Sequence, residues 1–362
     1  MDSTKTKIAL ISHSLGSGGA ERFAGELSFI LEQLGFEVHL IIINDEVDFP
    51  YTGILYNLGH LCKNDLGLIK KIKKGLLVKK YLQTNKIEII IDNRTRNQLL
   101  REWFTKCIYA KRKTYFIIHS FHLKNYLPTS VFFAKKLYRD STKIICVSKE
   151  IEEQVIRKYG FKNTTTIYNP VRSIVLDSSL DVELPEKYVL FFGRLEEQVK
   201  NFTLLLNAFS SSKIYEDGFQ LIILGDGNSK DEIRTLVASL NIRDYVTLIP
   251  FQRNPFNFVK HARFTLLTSY YEGFPMSIVE SLSLGTPVIS VDCQSGPKEI
   301  IQNEYNGLLV ENHNIEALAT ALSRLSKDQT LYDTIKSNTI QSVSHLSAEA
   351  IAKEWSKILA KK

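Results

Sequence analysis

The chain is poor in cysteine: four in 362 residues, Cys62, Cys107, Cys146 and Cys293, at intervals of 45, 39 and 147 positions. Such spacing fits neither a zinc site nor a disulfide framework, so buried free thiols in a reducing cytoplasm are expected. It lacks any apolar run of the ~18 residues that a membrane-crossing helix needs; Tyr115–Ile118 and Val189–Phe192 are strand-sized. Met1-Asp2-Ser3-Thr4-Lys5 leads into a strand without the apolar region and small-residue cleavage site of a signal peptide. No short-period repeat or low-complexity segment is visible. A soluble cytoplasmic protein is expected. With 44% hydrophobic and 23% charged residues, disorder and fibrous architectures are excluded. The length suits two domains of roughly 170 residues each.

What the chain has is an uneven charge. Residues 1–180 hold 28 Lys+Arg against 17 Asp+Glu, a balance of +11, whereas residues 181–362 hold 18 against 22, a balance of −4. The N-terminal half is therefore expected to meet an anionic partner. Its lysines gather at Lys70, Lys71, Lys73, Lys74, Lys79 and Lys80, interleaved at helical period with Leu66, Ile69, Ile72, Leu76 and Leu77. Two readings stay open: an ordinary surface helix that buries its apolar stripe, or a helix that docks on an anionic membrane surface. Nucleic acid is not expected, since no binding motif accompanies the charge.

Strand and helix alternate twice along the chain. The first half reads strand Lys7–His13, glycine-rich turn, helix from about Ala20 to Leu34 closed by Gly35, and strand Val38–Ile43. Further strands are expected at Ile87–Ile91, Tyr115–His119 and Lys143–Ser148. After Asn169-Pro170 a polar stretch to Glu186 reads as a linker. The alternation restarts with Tyr188–Phe192, helix Phe202–Phe209, strand Phe219–Leu224, helix Lys230–Leu240 and strand Val246–Phe251. Strand Phe264–Ser269, a helix after Pro275, strands Val288–Asp292 and Gly307–Val310, and an amphipathic tail helix Ala348–Leu359 follow. Near-continuous apolar strands suit parallel sheets covered on both faces. The expected fold is α/β: two doubly wound Rossmann-like domains facing each other across a cleft. The expected division is 1–170, a linker at 171–187, 188–345, and a C-terminal helix at 346–362 crossing back to the N-terminal domain.

Chemistry is suggested first by Glu272-Gly273-Phe274-Pro275-Met276-Ser277-Ile278-Val279-Glu280. Pro suits a helix's first turn, where its missing N–H costs nothing. Gly273 lets backbone approach a ligand, and the amides at the helix start form an anion site. Eight residues at helical rise span roughly 12 Å, enough for Glu272 and Glu280 to grip opposite ends of an extended ligand. Two arbitrary glutamates would more often be a cap and a solvated side chain; the Gly-Phe-Pro between them and the strand upstream favour the site. Arg194 offers a planar fork for phosphate oxygens and Lys200 a point charge. Gly16, Gly18 and Gly19 either let the first loop approach a diphosphate or make a tight turn before a helix. His119 closes an apolar strand; His13 and His122 are weaker candidates.

These residues resemble the retaining glycosyltransferases of family 4, which have the GT-B fold. The Glu-x7-Glu segment carries the likeness, with Gly193-Arg194-Leu195 before Lys200-Asn201, Leu224-Gly225-Asp226-Gly227, Gly285-Thr286-Pro287, Asn306-Gly307-Leu308 and the loop Gly16–Arg22 in the same order. The Arg194-to-Lys200 interval is one residue longer than the commonest family form, which could displace Lys200. The resemblance implies transfer of a sugar from a nucleotide donor with retention, with Glu272 and His119 catalytic. It implies Gly16, Gly18, Gly19, Arg194, Lys200, Gly273, Phe274, Pro275, Met276, Ser277 and Glu280 on the donor. No Asp-x-Asp pair sits where a metal would neutralise the diphosphate, so no metal or other cofactor is expected. Asn169-Pro170-Val171 resembles the hinge of branches that use UDP-linked sugars, implying UDP over GDP. The basic first half makes a lipid-linked glycan acceptor at the cytoplasmic membrane face the expected partner. The rivals are a catalytically inactive scaffold of the same fold and a Rossmann oxidoreductase. The second needs Gly-x-Gly-x-x-Gly, whereas Gly16-Ser17-Gly18-Gly19-Ala20-Glu21 lacks the last glycine. A nonhydrolytic or epimerising enzyme of the same fold is a remoter third.

Overall fold

Each half of the chain builds one all-parallel sheet. The computed structural model describes residues 5–16, 18–171, 174, 176 and 184–360. The chain divides into two units: one runs to Pro170 and is joined by the tail from Ala348, and the other spans Val171–Ser347. Of the expected linker, residues 172, 173, 175 and 177–183 lie outside the described residues, as does Ser17 of the first glycine loop.

The first unit holds β1 (Lys7–Ser12), β2 (Glu37–Ile42), β3 (Ile54–Asn57), β4 (Ile89–Asp92), β5 (Lys113–Ile118), β6 (Lys143–Cys146) and β7 (Thr164–Thr166), in the order β3-β2-β1-β4-β5-β6-β7. Register pairs Leu10 with Leu40 on one side and with Ile91 on the other. The central strand β4, Ile-Ile-Ile-Asp, is buried throughout, as a strand covered on both faces must be. The strands at the two edges escaped the sequence reading, because Ile-Leu-Tyr-Asn and Thr-Thr-Thr are only half-buried and carry no apolar run. The tail helix Ala348–Leu359 belongs to this unit. It contacts the helix Gly19–Gln33, buries Trp355 completely, and its Ile358 carbonyl accepts from the Tyr115 hydroxyl at 2.9 Å.

The second unit holds β8 (Tyr188–Phe192), β9 (Gln220–Leu224), β10 (Val246–Ile249), β11 (Thr265–Leu267), β12 (Val288–Val291) and β13 (Gly307–Val310), in the order β10-β9-β8-β11-β12-β13. Tyr188, Leu190, Phe192, Ile222 and Leu224 pack against Phe258 and Val259 in its core.

In both units the chain runs outward from the centre, returns, and continues the other way. The order reverses between β1 and β4 in the first sheet and between β8 and β11 in the second. At such switch points the loops leaving adjacent strand ends diverge and open a crevice where ligands bind. Three cysteines are buried as expected, but Cys107 is exposed. It lies seven residues after Leu100 and three after Phe104 on the helix Leu99–Tyr109, and helical spacing puts all three on the outward face.

Candidate functional site

The loops at the second switch point converge on Glu272. Leaving β8, residues Gly193–Glu196 lead into a single helical turn, Glu197–Lys200. Asn201 follows in the left-handed conformation, φ 54°, and its side chain caps the next helix by accepting from Leu204 N at 3.1 Å. This turn ends at Lys200. It is tied to the chain leaving β11, since Thr268 Oγ1 donates to Lys200 O at 2.8 Å and Tyr270 N donates to Val199 O at 2.9 Å. Lys200 is thereby held with its ammonium 2.7 Å from Glu272 Oε1, and Ser269 Oγ donates to the same oxygen at 2.6 Å. The carboxylate is only 13% exposed and the lysine 18%. Glu272 is thus a sequestered, doubly hydrogen-bonded group rather than an open carboxylate at a helix start.

Only part of the Glu-x7-Glu segment is helical. The helix runs Met276–Ser283, with Pro275 at its N-cap in an extended conformation. Pro275 O accepts from Ile278 N and Val279 N, so Met276 and Ser277 contribute the first amides of the helix, ahead of the internal ladder. Glu280 is buried within the helix, not solvated. Phe274 is buried too, and Gly273 O accepts from the buried Ser295 hydroxyl at 2.7 Å. Gly296 lies so close that a Cβ there would strike the Pro275 ring. Arg194 stands apart from the Lys200–Glu272 pair: it is 55% exposed and its partner is Glu196, at 3.4 Å.

The glycines of Leu224-Gly225-Asp226-Gly227 have a steric reason. A Cβ at Gly225 would strike the Gly193 carbonyl oxygen, and one at Gly227 the Leu195 carbonyl oxygen. The two loops are laced together, with Leu195 N donating to Asp226 O at 2.8 Å and Gly193 N to Leu224 O at 3.0 Å.

In the first unit the glycine loop follows β1. Gly18, φ 134°, is the N-cap of the helix Gly19–Gln33, a Cβ at Gly16 would meet the Glu46 side chain, and Gly19 faces open space. His119 sits one residue beyond β5, its Nε2 2.5 Å from Asn93 Oδ1. The Asn93 amide nitrogen donates to Ala20 O at 2.7 Å, which makes its oxygen the acceptor. Nε2 of His119 therefore carries the hydrogen and Nδ1 keeps its lone pair. Burial, with the Arg96 charge adding to it, pulls the His119 pKa down to about 3, so the ring is neutral at physiological pH. Phe23 stacks edge-on at 5.0 Å. His13 lies 2.8 Å from Thr95 Oγ1, joining the loops after β1 and β4.

Sequence reasoning missed the segment Asp92–Arg96. Asp92, fully buried, receives Arg94 Nε at 3.0 Å, Arg94 Nη2 at 2.6 Å and the Tyr109 hydroxyl at 2.9 Å. The Arg94 charge holds the Asp92 carboxyl down at about 2 against the opposing effect of its burial. Arg96 lies over the Phe116 ring at 5.0 Å and donates to three backbone carbonyls. The signal was available: three isoleucines followed at once by Asp-Asn-Arg mark the carboxyl end of a central parallel strand. A cavity of about 420 Å³ in this unit, lined by residues including Trp103, Lys106, Tyr138 and Asp140, holds none of the candidate residues.

Of the six lysines on the helix Gly67–Thr84, Lys74 turns inward and donates to Ile43 O, and Lys73 pairs with Asp65 at 2.7 Å. Lys71, Lys79 and Lys80 are exposed. The helix buries Val78 and Leu82, not the stripe that periodicity singled out.

Both halves of the chain match known families. The profile described as Glycosyl transferases group 1 matches residues 176–342, and that described as Glycosyltransferase Family 4 matches residues 17–173. The chain is 29% identical over 341 residues to the N-acetylgalactosamine-N,N'-diacetylbacillosaminyl-diphospho-undecaprenol 4-alpha-N-acetylgalactosaminyltransferase of Campylobacter jejuni, covering 90% of this chain and 91% of that one. It is 27% identical over 340 residues to the lipopolysaccharide 1,6-galactosyltransferase of Escherichia coli, covering 88% of each. A solved variant of S. aureus TarM, in complex with Fondaparinux, alpha-GlcNAc-glycerol and UDP, superposes with a TM-score of 0.79 at 16% identity, over 98% of this chain and 100% of that one. At that identity the likeness shows the fold, GT-B.

Proposed function

This chain belongs to the family 4 glycosyltransferases, and on that premise we propose that it moves a hexose or N-acetylhexosamine from a nucleoside diphosphate sugar to a lipid-linked glycan in cell-surface polysaccharide assembly. UDP is favoured over GDP as the donor. The observation that carries the reading is Lys200 beside Glu272 at the switch point of the second sheet, next to the helix start at Met276. A departing diphosphate gains negative charge, and fixed positive groups stabilise it more in the transition state than in the ground state. Lys200, Arg194 and the amides of Met276 and Ser277 supply such groups, so catalysis proceeds without a divalent metal. Glu272 then turns from its salt bridge toward the sugar, and Glu280 holds the nucleoside end. Retention follows a front-face path, and neutral His119 keeps a lone pair on Nδ1 that can accept from a substrate hydroxyl. A lipid-linked acceptor is reached from the cytoplasmic face; no helix among the described residues is long and apolar enough to cross a membrane.

An inactive scaffold is disfavoured by the care with which Lys200 and Glu272 are held together. Turnover against a panel of UDP- and GDP-sugars, with the membrane lipid fraction as acceptor and in saturating EDTA, tests the reading. Transfer from a UDP-sugar in EDTA, with the anomeric configuration kept by NMR, is expected. Turnover that dies in chelator and returns with magnesium or manganese overturns the metal-free mechanism. No turnover with any donor favours the scaffold.

A further inference from the structure

One short segment of the first unit governs two histidines. Residues Asn93–Thr95 leave the central strand β4, which lies between β1 and β5, and His13 and His119 each sit one residue beyond those neighbours. The segment is fixed from several sides. Asn93 N donates to Ile11 O at 2.8 Å, and Arg94 donates from N, Nε and Nη2 to the buried Asp92 carboxylate. The Thr95 carbonyl accepts from Arg101 at 2.7 Å, and Arg96 N donates to Asn125 O at 2.7 Å.

Asn93 is 2% exposed, and its surroundings allow its amide one orientation. The amide nitrogen donates to Ala20 O at 2.7 Å and to Ser12 Oγ at 3.4 Å; turned over, the side chain would set its oxygen against the Ala20 carbonyl. Oδ1 therefore faces His119 Nε2, which must donate, and the lone pair is left on Nδ1. Thr95 imposes the reverse on His13. Its backbone N–H, which can only donate, points at His13 Nε2 at 3.2 Å, with the Thr95 hydroxyl 2.8 Å from the same nitrogen. In a neutral ring the hydrogen then sits on Nδ1. Burial lowers the pKa of both rings, His119 to about 3, so both are neutral at physiological pH. Each ring is partly exposed, and neither Nδ1 hydrogen-bonds to a described residue.

We propose that Asn93 is a positioning residue for transfer, holding His119 with Nδ1 open as a hydrogen-bond acceptor, while Thr95 holds His13 with Nδ1–H open as a donor. A sugar hydroxyl both donates and accepts, so two rings in opposite tautomers meet both needs of a polyol. An apolar or purely anionic ligand has no use for such a pair. Sugar transfer, as proposed above, is the premise; the ring tautomers themselves can be read without turnover.

Long-range proton–nitrogen NMR spectra of the full chain, isotope-labelled at histidine, report which ring nitrogen bears the hydrogen, with His13→Gln and His119→Gln assigning the two signals. The hydrogen is expected on Nε2 of His119 and on Nδ1 of His13. Thr95→Val keeps the amide and should leave His13 unchanged. Asn93→Leu removes the oxygen and should mix the His119 tautomers. It should also lower kcat about tenfold at the parent's donor KM, the effect of losing one hydrogen bond made in the transition state. Asn93→Ser, too short to reach Nε2, gives the same comparison where the leucine variant does not fold. Both rings in one tautomer, or His119 with its hydrogen on Nδ1, overturns the proposal whether or not the parent turns over. So does an Asn93→Leu chain with a lower melting point but the parent's kcat, which would assign Asn93 to folding alone. A parent that transfers nothing but shows the expected tautomers supports the assignment of the rings and counts against the sugar-transfer reading instead.

Discussion

Breaking the Lys200–Glu272 pair should be felt in stability as well as in catalysis. Glu272→Gln keeps the shape and leaves Oε1 able to accept from Lys200 and Ser269, but removes the charge. A charge-assisted hydrogen bond contributes about 1.5–3 kcal/mol and a neutral one about 0.5–1.5 kcal/mol. With the two side chains 13% and 18% exposed, water screens little of the difference. The expected cost is therefore about 1–2 kcal/mol. At about 2–4 °C per kcal/mol for a unit of this size, the melting point should fall by about 2–8 °C. An open carboxylate at a helix start would leave it unchanged. Lys200→Met breaks the same bond from the other side, so the double variant should not suffer twice. A coupling energy of about 1–2 kcal/mol is expected from the cycle, read by urea denaturation with each unit's transition followed separately. All three variants should lose transfer by two orders of magnitude or more, roughly the effect of removing one electrostatic stabiliser. Additive stability losses, or a Glu272→Gln melting point within about 1 °C of the parent, would refute the pairing.

Arg194→Ala should weaken binding of the free nucleoside diphosphate about 10- to 100-fold and leave the nucleoside unaffected, by titration calorimetry; equal losses would place the phosphate cation elsewhere. Asp92→Asn leaves Arg94 buried without its counter-charge and should destabilise the first unit by about 3–5 kcal/mol in urea, and a midpoint unchanged from the parent would mean the pair is not dry. His119 titrates at about 3 in the folded chain against 6.5 for a free imidazole, so below 6.5 the unfolded state takes up the proton first. Its contribution is present in full above that pH and is lost as pH falls toward 3, at up to about 1.4 kcal/mol per unit. His119→Gln should therefore flatten the pH–stability curve between those limits; His13 and His39, also lowered by burial, remain in both proteins and cancel in the comparison. Parallel curves for parent and variant would show that the ring is solvated.

The sequence by itself determined the two alternating halves and the positions where chemistry could sit. Long apolar strands must be covered on both faces, and glycines crowded at strand ends leave backbone close to a ligand; both properties are local and written in consecutive residues. Lys200 shows where locality ends. Its spacing from Arg194 left its position uncertain, and only a helical turn closed by left-handed Asn201 and tied to Thr268 brought its ammonium to Glu272, 72 residues away. The edge strands Ile54–Asn57 and Thr164–Thr166 were invisible because a strand with one neighbour needs no apolar run. At Asp92–Arg96 the three preceding isoleucines marked the strand end, but that Asp92 and Arg94 form a buried ion pair showed only once the strands around them were placed. The helix Gly67–Thr84 makes the same point in reverse. Periodicity gave it an apolar stripe, but which face turns inward depends on what lies against it, and the helix Leu99–Tyr109 and Ile43 together left Leu68, Ile69, Ile72 and Leu76 facing outward. Periodicity is a property of one helix, whereas burial belongs to the pair of surfaces that meet.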